Sequence, residues 1–190
     1  MNEQTVSETI RAIAEANHCQ AGAAIAISGA LAAALAQATA NVTLMLDASD
    51  EAKVASQAIQ TTMTELRTRF LAIADEDAKA IGEMVRLREA GQPLQGYQVL
   101  CDGPQEMARM GIAAGQAMQA FRPFVCERTR DDLEFALTLM HGAARAAMKL
   151  LDSNLRIWPL PELIAKYDPA VRQLSADLAL LMPVKRIRNS

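Results

Sequence analysis

From Cys19 to Leu46 the chain reads CQAGAAIAISGALAAALAQATANVTLML, without one charged side chain. A run of this length must be buried, either in protein or in lipid, since roughly 20 apolar residues suffice to cross a bilayer. Its content favours protein. Alanine is a weak membrane residue, and Gln37, Thr39, Asn41 and Thr43 crowd the second half. No Trp, Tyr or basic residue anchors either end. Gly22, Ala26, Gly29, Ala33 and Ala40 lie close to helical spacing and form a smooth stripe for close packing. Ile25, Leu31, Leu35, Val42 and Leu46 supply bulk around it. The spacing predicts the central helix of a bundle rather than a membrane span.

The remaining signals are helical too. Thr5-Val-Ser-Glu8 has capping-box spacing and opens a short helix to about Ala16. Asp47-Ala-Ser-Asp50 suits a turn and an N-cap, followed by a long helix from about Glu51 to Glu89. Val54, Ala58, Met63, Leu66, Phe70 and Ile73 give it an apolar face, and Gly91-Gln92-Pro93 stops it. Leu94–Cys101 reads as irregular. Asp102-Gly-Pro104 then starts a helix with proline near its first position, running through Met107, Met110 and Met118 to Phe121. Asp131 opens a helix to about Ser153. A final pair is expected, Pro161–Tyr167 and Ala170–Met182, with Asp168-Pro169 as cap and first residue. With 51% hydrophobic and 22% charged residues over a length of 190, one all-α domain spanning 1–190 is expected. Abundant alanine and only 4% aromatics imply closely packed helices.

Several function classes fall away. A net charge of -3, with Lys185, Arg186 and Arg188 as the sole basic cluster, disfavours nucleic acid. Cys19, Cys101 and Cys126 are odd in number and widely spaced, which argues against a disulfide framework or a zinc site. The start, MNEQTVSETIRAIAEAN, does not read as a secretory signal, so a reducing, cytoplasmic setting is expected. No phosphate-loop, dinucleotide or nucleophile-elbow motif occurs. His18 and His141 are isolated and read as surface or satisfied residues. The acidic trio Asp75-Glu76-Asp77 sits mid-helix, where Asp is a mediocre residue. Side chains at 75 and 77 point about 200° apart, so only one can face the core. A solvated face with Lys79 nearby is the simpler reading of that trio from the residues alone.

The order of landmarks resembles a known family. AGAAIAISGALAAALAQATANVTL (21–44) has the layout of the Ala/Gly-rich helix ending in Asn-Leu-Thr of the cyclodeaminase domain of formiminotransferase-cyclodeaminase. Stand-alone bacterial methenyltetrahydrofolate cyclohydrolases share it. LAIADEDAKAI (71–81) is similar to that family's Asp-x-Asp-Ala-x-Ala-Phe segment, and GPQEMARM (103–110) to its Val-Pro-Leu-Glu-Val-Ala helix start. RDDLEFALTLMHGAARAAMKLL (130–151) resembles the helix that opens with Ser-Asp. The resemblance covers most of residues 5–155. It implies an all-α up-and-down bundle, usually a homodimer, acting on one-carbon tetrahydrofolates with no metal or cofactor. Matched positions make Asp77 the first candidate general acid/base and Asp75 the second, with Gly22, Asn41 and Asp131 as candidate substrate-binding residues.

The chain also departs from the family pattern. Cys19-Gln-Ala-Gly-Ala23 replaces a Pro-Gly-Gly-Gly-Ser loop and keeps one glycine. Arg130 replaces the Ser of Ser-Asp, and Lys149 and Ser153 replace an Asn-x-x-x-Asn. Three functions therefore stand as alternatives. One is a cyclohydrolase or cyclodeaminase working on folate, the second an inactive helical binding or assembly subunit of the same fold, and the third the binding of another small ligand in the same inter-helix pocket.

Overall fold

A computed structural model describes residues 5–46, 49–92 and 98–189. The described residues form six α-helices: α1 (Val6–Ala14), α2 (Ala21–Met45), α3 (Asp50–Glu89), α4 (Val99–Phe121), α5 (Arg130–Ile157) and α6 (Pro161–Ala179). Among the described residues there is no strand. A 3-10 turn at Glu127–Thr129 leads into α5. The expected capping box is formed, with Glu8 N–H on Thr5 Oγ1 and Thr5 N–H on the Glu8 carboxylate. Ser49 caps α3, while residues 47 and 48 of the expected turn lie outside the described residues. Gly91, with φ +62°, closes α3 in the left-handed region that glycine adopts freely.

The uncharged run is α2, and it is the core helix. Eleven of its 25 residues are buried, and the predicted stripe Gly22, Ala26, Gly29, Ala33 and Ala40 is among them. α3 runs antiparallel beside it. Gly29 lies where a Cβ would fall 2.7 Å from Phe70, and the Asn41 side chain accepts from Gln60. α4 and α5 form the second antiparallel pair, in close approach at Gly111 against Ala144. The core of the four-helix arrangement is filled from all four helices, by Met63, Phe70, Met107, Met118, Leu137 and Met140 among others. Small residues let backbones approach, and methionine fills irregular gaps. α2 is also the one described helix long and apolar enough to cross a membrane by length and composition.

Three local expectations are corrected. α4 starts at Val99, so Val99–Cys101 are helical and Pro104 lies inside the helix; residues 93–97 lie outside the described residues. Proline removes the N–H that would have met the Leu100 carbonyl. Asn154 Nδ2 supplies a replacement at 2.6 Å. The expected final pair is one helix, α6, with Pro169 inside it. Leu163, Tyr167, Leu174 and Leu178 are buried at helical spacing on both sides of the proline, and that packing outweighs the broken backbone bond. On α3, Val54 and Ala58 face outward, while Ala52, Ser56 and Ile59 take the inner positions.

α6 closes one end of the bundle. Leu163 and Tyr167 pack on Cys101, Leu151 and Leu155, with Trp158 against the same cluster. A buried phenol must find a partner, and Tyr167 donates to Asp102 Oδ1 at 2.7 Å while Lys166 bonds both. Beyond α6 the chain returns along α4 and α5. Arg122 holds the Met182 carbonyl, and Glu134 accepts from the Val184 N–H.

Candidate functional site

The first turn of α2 and the middle of α3 meet at Asp77. Ala23 N–H, one of the unpaired donors of a helix start, donates to Asp77 Oδ2 at 3.1 Å. The carboxylate lies so close to the α2 backbone that a Cβ on Gly22 would fall 2.2 Å from Oδ1. Gly22 is thus the residue that lets Asp77 dock. Burial pushes the Asp77 carboxyl above its usual range, and the Ala23 N–H draws it back only partly. The result is a carboxyl that keeps its proton to higher pH than an exposed Asp.

Two further polar atoms lie at the same end of α2. His18 Nε2 and Gln20 Oε1 are shut off from solvent without a hydrogen-bond partner, while His18 Nδ1 pairs with Asn17 at 2.7 Å. The sequence reading of His18 as a surface or satisfied residue is therefore corrected on one nitrogen. Neither residue carried a motif, and the only available signal was adjacency to the altered loop.

The predicted site residues do not form one cluster. Gly22 and Asp77 are in contact. Asp75 is half-buried on α3, and helical geometry turns it about 200° away from Asp77. Asn41 lies nineteen residues along α2 from Gly22, about 28 Å at the helical rise. There it is bonded to Gln60. Asp131 is exposed in the first turn of α5. That turn also belongs to the Asn41 end, since Cys126 N–H just before it bonds Thr43 Oγ1 at 3.1 Å.

The Asn41 end holds a cavity of about 380 Å³, lined by Thr43, Ser49, Glu51, Phe124 and Cys126 among others. Burial alone would raise the Cys126 thiol, but hydrogen bonds with the Thr129 and Thr43 hydroxyls bring it below its ordinary value. A second, apolar groove of about 270 Å³ runs between α3 and α4, past Ile59 and Phe121.

Elsewhere on α3, Arg69 makes a two-pronged ion pair with Glu106 at 2.7 Å and a further bond to Glu76. Glu106 is the Glu of the GPQEMARM segment, so that landmark helps tie α3 to α4. Sequence reasoning had no view of this pairing, because its partners stand 37 residues apart.

The architecture is that of an all-helical antiparallel bundle with a half-buried carboxyl docked on a helix start. A model of the formiminotransferase-cyclodeaminase family matches residues 5–167, and the chain belongs to that family. Among curated proteins no sequence match was found. A solved structure with the same fold is the formiminotetrahydrofolate cyclodeaminase of Thermotoga maritima, at TM-score 0.83 and 18% identity. The likeness covers 94% of this chain and 91% of that one.

Proposed function

We propose that the protein acts on a one-carbon tetrahydrofolate, as a methenyltetrahydrofolate cyclohydrolase or a formiminotetrahydrofolate cyclodeaminase, with Asp77 as general acid/base. The observation that carries this is the Gly22–Asp77 contact. Two residues matched separately to family positions, 54 apart in sequence, meet in space around a carboxyl with raised proton affinity.

The chemistry fits such a group. In deamination N10 attacks the N5-formimino carbon, N10 gives up a proton, and the departing nitrogen takes one to leave as ammonia. In hydrolysis water adds to the methenyl carbon, loses a proton, and the ring opens to the formyl compound. Each needs one proton moved at a nitrogen or a water, which a buried carboxyl can do in either direction. Asp75, Asn41 and Asp131 stand as further candidates on family position alone. The same reading makes the protein a cytoplasmic homodimer with no resident metal or cofactor and no nucleic-acid or membrane partner. Its acidic net charge and three free cysteines agree with that.

One observation favours the alternative of an assembly subunit. The α2 start replaces a glycine-rich loop, and one of its free donors, the Ala23 N–H, is already engaged by Asp77.

The decisive assay is the absorbance decay of methenyltetrahydrofolate with purified protein, corrected for spontaneous hydrolysis, with an Asp77→Asn control. Acceleration by wild type alone supports the enzyme. No acceleration, and no thermal shift with any tetrahydrofolate, sinks it in favour of the assembly subunit.

A further inference from the structure

The loop before α2 holds two hydrogen-bond acceptors that no described residue satisfies. His18 Nδ1 lies 2.7 Å from Asn17 Oδ1, and an amide oxygen can only accept. The ring hydrogen therefore sits on Nδ1, and the neutral imidazole leaves Nε2 as a bare lone pair. Gln20 Oε1 is likewise an acceptor, and both atoms are closed off from solvent without a donor. Unpaired buried acceptors cost stability, so each calls for a reason, and a ligand that brings the missing donors supplies one.

Their position ties them to Asp77. Gln20 is the N-cap residue of α2, with its side chain making no cap bond, and its carbonyl accepts from the Ala24 N–H at 3.1 Å. The neighbouring Ala23 N–H is the one that meets Asp77. The loop can also yield to a ligand. α1, on its far side, has no buried residue, and among the described residues no backbone bond ties 16–19 to another element.

We infer that His18 Nε2 and Gln20 Oε1 hold the departing nitrogen of a 5-formiminotetrahydrofolate and so select that substrate over the methenyl compound, an assignment that rests on the folate reading above. An N5-formimino group is an amidine, protonated in neutral water, and its terminal nitrogen then carries two N–H bonds. Two acceptors meet two donors. The methenyl carbon, held between N5 and N10, carries only a C–H and would leave both acceptors empty. A site built to accept from a substrate N–H discriminates against a ligand lacking it, because its own polar groups stay unpaired. A cation beside a helix start also needs an anion, and Asp77 supplies it.

The step balances without another reactant. N10 attacks the amidinium carbon, which forms the C–N10 bond and leaves an NH2 group held by His18 and Gln20. The N10 proton passes to the Asp77 carboxylate and from there to that nitrogen. The old C–N bond then breaks, NH3 departs, and the methenyl cation remains. His18 and Gln20 move no proton; they fix the nitrogen that receives it.

The test follows two substrates on the full chain: ammonia release from 5-formiminotetrahydrofolate and absorbance decay of methenyltetrahydrofolate. Gln20→Met and His18→Phe each remove one acceptor. Each is expected to lower the ratio of kcat/KM, formimino over methenyl, by about 10-fold or more, as loss of one hydrogen bond to a charged group does. Both should melt no lower than wild type, since an unpaired buried atom is gone. Gln20→Glu keeps an acceptor oxygen and is expected to hold the wild-type ratio. An unchanged ratio in either apolar variant would overturn the assignment, and a fall common to both substrates would give the atoms to the pterin N–H donors they share. Methenyl hydrolysis by wild type with no ammonia release would overturn it too. If His18→Phe does not fold, the two Gln20 variants decide. No turnover and no thermal shift with either compound would remove the folate reading itself, whereas methenyl hydrolysis with an unmoved ratio removes only this inference.

Discussion

Asp77 and Glu134 are both carboxylates drawn into helix packing, and the bundle treats them in opposite ways. Glu134, its side chain 8% exposed, takes two N–H bonds from Arg122 at 2.6 and 2.8 Å and a third from Val184. Its charge is answered on every side and serves to pin the returning chain. Asp77 takes a single backbone N–H, and among the described residues no cation is paired with it. A buried charge with a partner is architecture, whereas a half-buried carboxyl without one gains proton affinity that chemistry can use. Burial alone does not mark a site. The missing counter-charge does.

The sharpest way to break this contrast is to neutralise each group in turn. Asp77→Asn is expected to reduce methenyltetrahydrofolate hydrolysis by about 10²- to 10⁴-fold, the usual contribution of a general acid/base, with the fold intact. Glu134→Gln should leave kcat within a few-fold. Steady-state rates on both variants check this, and equal losses would mean that Asp77 has no special role.

Stability should rank the two the other way. Glu134→Ala strands the Arg122 guanidinium, itself only 30% exposed, and frees the chain at Met182–Val184. Urea unfolding should show a loss of about 3 kcal/mol, the lower range for breaking a buried pair. Asp77→Asn should lose far less, because Asn Oδ1 can still accept from Ala23.

Gly22 sharpens the comparison from the backbone side. Replacing a helical glycine by alanine ordinarily stabilises by about 1 kcal/mol. Gly142 on α5 has nothing within 4 Å of an added Cβ, so Gly142→Ala should show that gain. Gly22→Ala should instead destabilise by about 1–3 kcal/mol and carry the activity loss of Asp77→Asn, since its Cβ takes the carboxylate's place. Thermal melts of the two variants, opposite in sign, would establish the contact. Like signs would refute it.

That contact also marks where sequence reading stops. Gly22 and Asp77 were each legible from short motifs, and so was the α2 core stripe. Their meeting was not, because the antiparallel register of α2 on α3 is set by fits such as Gly29 on Phe70 that no local pattern encodes. Asn41 matched a motif equally well and lies at the other end of the same helix. Pro104 and Pro169 were read as helix starts by local rule, yet both lie inside helices. Asn154 supplies a replacement hydrogen bond beside one, and an unbroken buried face spans the other. Leu31, read as bulk within the bundle, stands outside it; its hydrophobicity was plain, but its direction was set by how α2 packs on its neighbours.

The smallest effect expected is the dependence of stability on pH, and it separates Asp77 from its Asn replacement most directly. The Asp77 carboxyl is raised in the folded protein, while in the unfolded chain it titrates near about 3.9. Between those two points the native state holds a proton that the unfolded state has released. Wild-type stability therefore falls with rising pH in that window, by up to about 1.4 kcal/mol per pH unit, and levels off above the folded value. Asp77→Asn removes the titration, so the difference between the two unfolding curves should change in the variant's favour from pH 4 upward. A difference independent of pH would mean that the docked carboxylate is as well satisfied as Glu134, and that the contrast between the two is one of position only.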